Sequence, residues 1–218
     1  MRSTNRAAKT GSIEVIMLPQ KIVIASQNHK KIIEMRRILE QAGLDIEILG
    51  TDQFPELVDV EETGTTFAAN AMLKAKYVSE ATGLPAVGDD SGLCVDALNG
   101  MPGILSARWA GNHGNDQANL DLVLAQISHV PEKRRGASFV CAVAYCDPTG
   151  LEFIVEGSMV GSLITSPRGS GGFGYDPIFV PLGKSLTTAE MDAAEKDAIS
   201  HRGHALKAFA KQLVASST

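Results

Sequence analysis

The feature that most constrains this chain is an apolar run that ends on two adjacent acids, Leu84-Pro85-Ala86-Val87-Gly88-Asp89-Asp90-Ser91-Gly92. A short apolar segment bounded by turn residues reads as a buried strand. The strand is expected to stop at the carboxylates and turn at Ser91-Gly92, leaving like charges side by side at a strand end. Neighbouring carboxylates repel, and burying either one unpaired costs several kcal/mol, roughly. A fold that keeps both there is expected to hold a cation between or beside them, and a hard divalent ion with oxygen ligands suits that place. The plainer alternative makes Asp89, Asp90 and Ser91 turn formers whose side chains cap local amides.

The charge balance narrows the partners. A formal net charge of -5 argues against a general nucleic-acid binder, which would carry a basic face. No apolar run approaches the ~18 residues of a membrane-spanning helix, so no membrane partner is expected. Cys94, Cys141 and Cys146 form no CxxC pair and suggest neither a disulfide framework nor a zinc knuckle. Reduced thiols in a cytoplasmic protein fit that pattern. Residues 1–20 carry Arg2, Arg6 and Lys9 before an apolar stretch that Glu14 interrupts, and they read as a disordered or loosely attached extension.

From Lys21 the periodicities alternate. Lys21 to Ala25 is a β-branched strand, and His29 to Glu40 has helical spacing ending near Gly43. Between them, Ser26-Gln27-Asn28-His29-Lys30-Lys31 sets a hydroxyl, an amide and lysines around free helix N–H groups, a place that attracts phosphate. A simple N-cap with solvated lysines is the alternative, and a P-loop is excluded because its glycines are missing. Leu44 to Leu49 reads as a second strand. An acidic loop with Glu61 and Glu62 then leads into a helix from Phe67 to Thr82, where Asn70, Lys74 and Tyr77 share a face. The two glutamates complement that helix N-terminus or supply further oxygen ligands to a metal. An amphipathic helix built on Leu120, Val123, Leu124 and Ile127 follows. Ala137 to Tyr145 and Leu151 to Gly157 flank Asp147-Pro148-Thr149-Gly150, an antiparallel hairpin, so the sheet is mixed.

Gly169 to Gly174 matches GxGxxG in form, yet no helix follows it, which excludes a dinucleotide fingerprint. A glycine loop presenting Phe173 and Tyr175 suits stacking on a flat heterocycle, against the alternative of aromatics tucked into the core. At the end, Ser200 is an N-cap that leaves His201 and Arg202 in a first helical turn, where an acceptor-rich ligand would suit them.

Together these segments resemble the inosine/xanthosine triphosphate pyrophosphatases, enzymes that hydrolyse non-standard purine nucleoside triphosphates. The resemblance runs from Lys21 to about Leu213. It is carried by Ser26-x-Asn28-x-x-Lys31, Glu61-Glu62-Thr63-Gly64-x-x-Phe67-x-x-Asn70-Ala71-x-x-Lys74-Ala75, Asp89-Asp90-Ser91-Gly92-Leu93, Pro102-Gly103-x-x-Ser106-Ala107-Arg108, Gly172-Phe173-Gly174-Tyr175-Asp176-Pro177-Ile178-Phe179 and Glu195-Lys196-x-x-Ile199-Ser200-His201-Arg202. The first loop departs from the family's Thr-Gly-Asn-x-Gly-Lys by losing both glycines.

The resemblance implies an α/β fold with an elongated mixed β-sheet and helical lobes on both sides of a central cleft. It makes residues 21–218 a single two-lobed pyrophosphatase domain, working as a cytoplasmic homodimer with Mg²⁺. Position by position it implies that Ser26, Gln27, Asn28, His29, Lys30 and Lys31 bind phosphate, that Lys74 is a further substrate-binding residue, and that Asp90 accepts a proton. Glu62 and Asp90 hold metal, with Glu61 or Asp89 as further ligands. Ser91 touches substrate, while Phe173, Gly174, Tyr175, Asp176, Lys196, His201 and Arg202 surround the base. Two rivals remain open: a related pyrophosphatase acting on modified pyrimidine nucleotides, and a nucleotide-sensing module without turnover.

Overall fold

Lys21–Ile24 (β1), Glu47–Gly50 (β2) and Ala86–Val95 (β3) lie parallel, and Gly136–Cys146 (β4), Glu152–Leu163 (β5) and Phe179–Pro181 (β6) continue the sheet antiparallel, in the order β2-β1-β3-β4-β5-β6. The computed structural model describes residues 18–26, 29–58 and 60–217, with Lys30 by its backbone alone. The expected extension at 1–20 therefore lies almost wholly outside the described residues. The helices are His29–Gln41 (α1), Phe67–Thr82 (α2), Asp116–Gln126 (α3), Ala193–Ile199 (α4) and His201–Ala215 (α5). No described helix is long and apolar enough to cross a membrane.

β3 departs from expectation. It does not stop at the acids but runs through them, paired with β4 from Ala86↔Cys146 to Val95↔Ala137. β1 pairs with β3 only at Val23↔Ala86 and Ile24↔Val87 and then leaves the sheet at its carboxyl end. Asp89 and Asp90 thus stand on a central strand just past the point where its parallel neighbour ends. Ligands of open α/β sheets bind outside such carboxyl ends. The second strand also starts later than Leu44, because Leu44 and Ile46 are buried as loop residues.

The two faces of the sheet are covered differently. On one, α1 and α5 pack Met35, Ile38, Leu206 and Phe209 against Ile22, Val87, Cys141 and Tyr145. Further along that face a second core joins Leu93, Phe139 and Met159 to Leu120 and Val123 of α3 and to Phe179. On the other face α2 sets Ala71 and Ala75 against Ala142, Ala144 and Cys146. Thr66 caps α2 by accepting the Ala69 N–H at 3.0 Å, and Gly83 ends it in the left-handed region.

Small residues bring α2 against the sheet backbone, and Gly88 marks the closest approach. A Cβ on Gly88 would lie 2.2 Å from the Ala71 carbonyl oxygen and 2.9 Å from the Ala75 nitrogen. Backbone on both sides leaves nothing flexible to give way. We expect Gly88→Ala to lower unfolding free energy in a denaturant titration by about 1–3 kcal/mol, the usual cost of overpacking. An unchanged midpoint would show that α2 sits looser than described.

Candidate active site

Successive strand residues point to opposite faces, so β3 sends its two acids apart. Asp89 faces α1 and α5. Its Oδ1 accepts from Lys31 Nζ at 2.9 Å and its Oδ2 from Arg202 at 3.4 Å, while the same guanidinium reaches Ser91 Oγ at 3.2 Å and lies 3.8 Å from Glu34. Burial would raise the Asp89 carboxyl, but Lys31, then Arg202 and Lys74, hold it far below the usual carboxylate range. This corrects the expectation of one ion shared by adjacent acids, and with it Asp89 as a metal ligand. Its counter-charges are side chains, and it faces away from Asp90.

Asp90 faces α2, where Oδ2 accepts from Asn70 Nδ2 at 3.0 Å and Oδ1 from the Ser91 N–H at 2.9 Å. Burial raises its carboxyl, against the pull of Lys74 and Asn70, and the Glu62 charge adds to the rise. Glu62 is half-buried. Its Oε1 accepts from Lys74 at 3.0 Å and its Oε2 from Arg108 at 3.2 Å. Burial pushes this carboxyl up as well, yet Lys74 and Arg108 prevail and hold it below the usual range. Asp90 and Glu62 are therefore coupled through Lys74.

Glu62, Lys74 and Arg108 edge a cleft of about 660 Å³ that Ser26, Lys31 and Glu61 also line, with Asp90 behind Lys74 and outside the lining. Lys31 enters from α1, Lys74 from α2 and Arg108 from a 3-10 turn over Gly103–Arg108 that Ser106 pins to β3 through the Leu93 N–H at 2.9 Å. Arg108 is absent from the expected site residues, though it closes the motif that begins at Pro102. Asn70 is likewise missing from them, and its spacing of four from Lys74 was the available signal. Glu61 is exposed, and His29 is exposed at the head of α1. Gln27 and Asn28 lie outside the described residues, as does the Lys30 side chain.

The residues present can be tested against Mg²⁺. Among the described residues no group of three His, Cys, Asp or Glu could form an all-protein cage. Magnesium does not need one: it dehydrates reluctantly and is held by one or two carboxylates together with substrate phosphates. Asp90 and Glu62, all-oxygen and beside cations suited to phosphate, fit that mode.

The glycine loop answers the question of its aromatics by dividing them. Phe173 is 59% exposed, whereas Tyr175 is 5% exposed, with its hydroxyl donating to the Ser106 carbonyl at 2.8 Å. Burial pushes the Tyr175 phenol well above its usual range. Tyr175 thus braces the loop from inside the core and offers no ring face to a ligand. Gly174 N–H donates to Asp116 at 2.9 Å. Asp176 is buried and accepts from the Phe173 N–H, Thr188 Oγ1 and Lys196 Nζ at 2.9, 2.8 and 2.5 Å. Lys196 also stands 5.5 Å above the Phe173 ring.

Lys196 belongs to α4, a short helix with no fully buried residue. Ion pairs tie it to its surroundings: Arg37 of α1 to Asp197 at 2.6 Å, Lys184 beyond β6 to Glu195 at 2.9 Å, and Lys196 itself to Asp176. Ser200 then caps α5 by accepting the Gly203 N–H at 2.9 Å, which sets His201 and Arg202 in its first turn. His201 stacks on Phe139 with ring centroids 5.0 Å apart, and its buried Nδ1 has no partner. Polar side chains from α1, β3, α4 and α5 thus form one belt between the two apolar cores of this face.

A family model described as the Ham1 family matches residues 22–212. The chain belongs to the Ham1 family. The resemblance carried by the motifs is thereby established over most of the sequence. This Ham1 chain is 58% identical over 189 residues to the dITP/XTP pyrophosphatase of Streptomyces coelicolor, covering 87% of this chain and 94% of that one. Against the dITP/XTP pyrophosphatase of Nocardia farcinica it is 52% identical, with 91% and 97% covered. Among solved structures, the nucleoside-triphosphatase / dITP/XTP pyrophosphatase of Mycobacterium abscessus superposes with a TM-score of 0.76 at 53% identity, over 87% of this chain and 97% of that one. A HAM1 protein from Coxiella burnetii gives 0.82 at 42% identity, over 89% and 98%.

One property of this Ham1 site follows from the burial of His201. Burial, then the charges of Arg202 and Lys196, lower its imidazole from 6.5 to about 3. The unfolded chain therefore binds a proton that the native state refuses between those values. Stability is full above the unfolded pKa and is lost as pH falls toward the folded one, by up to about 1.4 kcal/mol per pH unit. We expect His201→Gln to flatten that slope in denaturant titrations between about pH 4 and 6. Parallel curves for the two proteins would mean that His201 is solvated.

Proposed function

We propose that this chain hydrolyses non-standard purine nucleoside triphosphates, ITP, dITP and XTP, to the nucleoside monophosphate and pyrophosphate. The relatives named dITP/XTP pyrophosphatase, similar over nearly their full length, support the reaction and the substrate class. The observation that carries the mechanism is Asp90 and Glu62 coupled through Lys74 at a cleft edged by Lys31 and Arg108. Phosphoanhydride hydrolysis needs positioned charge more than covalent help, and this cleft offers cations of both short and long reach.

Asp90 would take the proton of a water whose oxygen bonds the α-phosphorus as the α–β anhydride bond breaks and pyrophosphate leaves. Its carboxylate is fixed for that task by Asn70 and the Ser91 N–H. Glu62 and Asp90 would hold Mg²⁺, which when bound supplies Lewis-acid charge stabilisation to the phosphates. In the free protein Lys74 and Arg108 satisfy Glu62. With a triphosphate bound, Lys74 and Arg108 would exchange Glu62 for the phosphate oxygens, which would leave the Glu62 carboxylate available to hold the metal. No charge is left unpaired at either stage. Ser26 and Lys31 complete the phosphate side from the carboxyl end of β1 and the head of α1.

On the base side, Phe173 offers the exposed ring face and Lys196 a donor held in place by Asp176. A donor aimed at a 6-oxo group rejects adenine, whose amino group would leave it unpaired at about 1–3 kcal/mol. Arg202, drawn to Asp89 and Ser91, is the second candidate donor. A cytoplasmic homodimer belongs to the same proposal, and Val160 and Leu182, exposed apolar neighbours at the β5–β6 edge, support a covered face there.

Pyrophosphate release across a panel of nucleoside triphosphates with Mg²⁺ tests the reading. ITP and XTP first is the expected order; pyrimidines first favours the related pyrimidine enzyme, and no release favours a sensing module. Asp90→Asn is expected to keep nucleotide binding while turnover of ITP falls about 10²- to 10⁴-fold. Near-normal rates would remove Asp90 from the mechanism. Lys196→Ala is expected to narrow the preference for ITP over ATP by about 5- to 100-fold, the equivalent of one unpaired donor. An unchanged ratio in kcat/KM would defeat base reading by Lys196.

A further inference from the structure

Asn70 has no solvent exposure, and its side-chain amide makes two bonds of opposite sense. Oδ1 accepts the Gly64 N–H at 2.8 Å, and Nδ2 donates to Asp90 Oδ2 at 3.0 Å. The partners fix which way the amide faces, since a backbone N–H only gives and a carboxylate only takes. One end therefore grips the acidic loop and the other grips the strand. Gly64 follows Glu62 by two residues, about 7 Å of extended chain, so anchoring Gly64 limits where Glu62 can reach.

The loop is seated closely at that anchor. A Cβ on Gly64 would lie 2.6 Å from Asn70 Oδ1, 2.9 Å from the Ala69 Cβ and 3.0 Å from the Asn70 nitrogen. On the strand, Asp90 Oδ1 is already held by its neighbour's N–H at 2.9 Å, so Asn70 supplies the second of two donors that set the carboxylate plane. Lys74 and Arg108 cannot replace it. Both bond Glu62, and both are released to phosphate in the mechanism above.

We propose that Asn70 is a positioning residue that sets the separation and orientation of the Glu62 and Asp90 carboxylates, so that losing it costs turnover rather than nucleotide affinity. This rests on the pyrophosphatase reading. The residue type follows from the geometry. Aspartate would keep the Gly64 bond but set a second carboxylate against Asp90, and leucine would strand a buried N–H and a carboxylate oxygen.

The test compares wild type, Asn70→Asp, Asn70→Ala and Gly64→Ala, using ITP with Mg²⁺ for kinetics and metal-free protein with ITP for calorimetry. In both Asn70 variants kcat is expected to fall about 10- to 100-fold, as when an outer partner of a ligand carboxylate is removed, with KM and the calorimetric Kd within about threefold. Hydrogen exchange at the Gly64 amide gives a readout apart from activity: protection is lost in Asn70→Ala and kept in Asn70→Asp. A folded Asn70→Asp with a protected Gly64 amide and wild-type kcat overturns the proposal, as does a loss confined to KM. If neither Asn70 variant folds, Gly64→Ala decides, since its Cβ meets Asn70 Oδ1 and breaks the loop end of the bridge; unchanged kcat there overturns the proposal. Wild-type protein that releases no pyrophosphate overturns the underlying reading instead, a result distinct from active wild type with indifferent variants.

Discussion

Two consecutive carboxylates on a buried strand cannot share a hydrogen-bonding partner, and the architecture around β3 answers that constraint. The pleat sends Asp89 toward α1 and α5 and Asp90 toward α2, so each acid needs its own set of polar neighbours. Asp89 is met by Lys31 and Arg202, which join two distant helices through one carboxylate. Asp90 is met by Asn70 and by the field of Lys74. The same backbone thus separates an acid whose charge is locked from one whose carboxyl is raised. Opposite displacement of two like groups is how a fold assigns them different work.

Much of this was legible in the sequence. The strand and helix order, the α2 boundaries with Gly83 as terminator, the Ser200 cap and the late hairpin follow from periodicity and turn chemistry, because those signals are local. The end of β3 was misjudged for the same reason. Asp-Asp-Ser-Gly reads locally as a turn, but ten residues of β4 pairing override the propensity and carry the strand on. Leu44 and Ile46 misled similarly, since apolar residues that pack as loop resemble strand.

Within the candidate site, residue types could be read off but partners could not. That Lys31 would answer Asp89 depends on a helix and strand 58 residues apart, and that Arg202 would join them on a separation of 113. No spacing rule reaches so far. Arg108 closes a family motif yet has no site role in the sequence, because nothing in Ser106-Ala107-Arg108 marks a site until the turn sets it on Glu62. For Phe173 and Tyr175 the sequence leaves stacking and burial equally open, and only the packing separates the ring that faces outward from the one that braces the loop.

The attachment of α4 has a consequence for how fidelity and speed are distributed. This helix carries Lys196 but buries none of its residues fully, and its fastenings to α1, to the turn after β6 and to the glycine loop are charge pairs. The Arg37–Asp197 and Lys184–Glu195 pairs are exposed enough to weaken as the Debye length shrinks, whereas the Lys196 pair with buried Asp176, the Ile199 contact with the second core and a backbone packed through glycine and alanine resist it. The helix that carries the base-side lysine is thus held in part by contacts that salt can loosen, whereas the strand and helix that carry Asp90 and Asn70 are held by packed backbone.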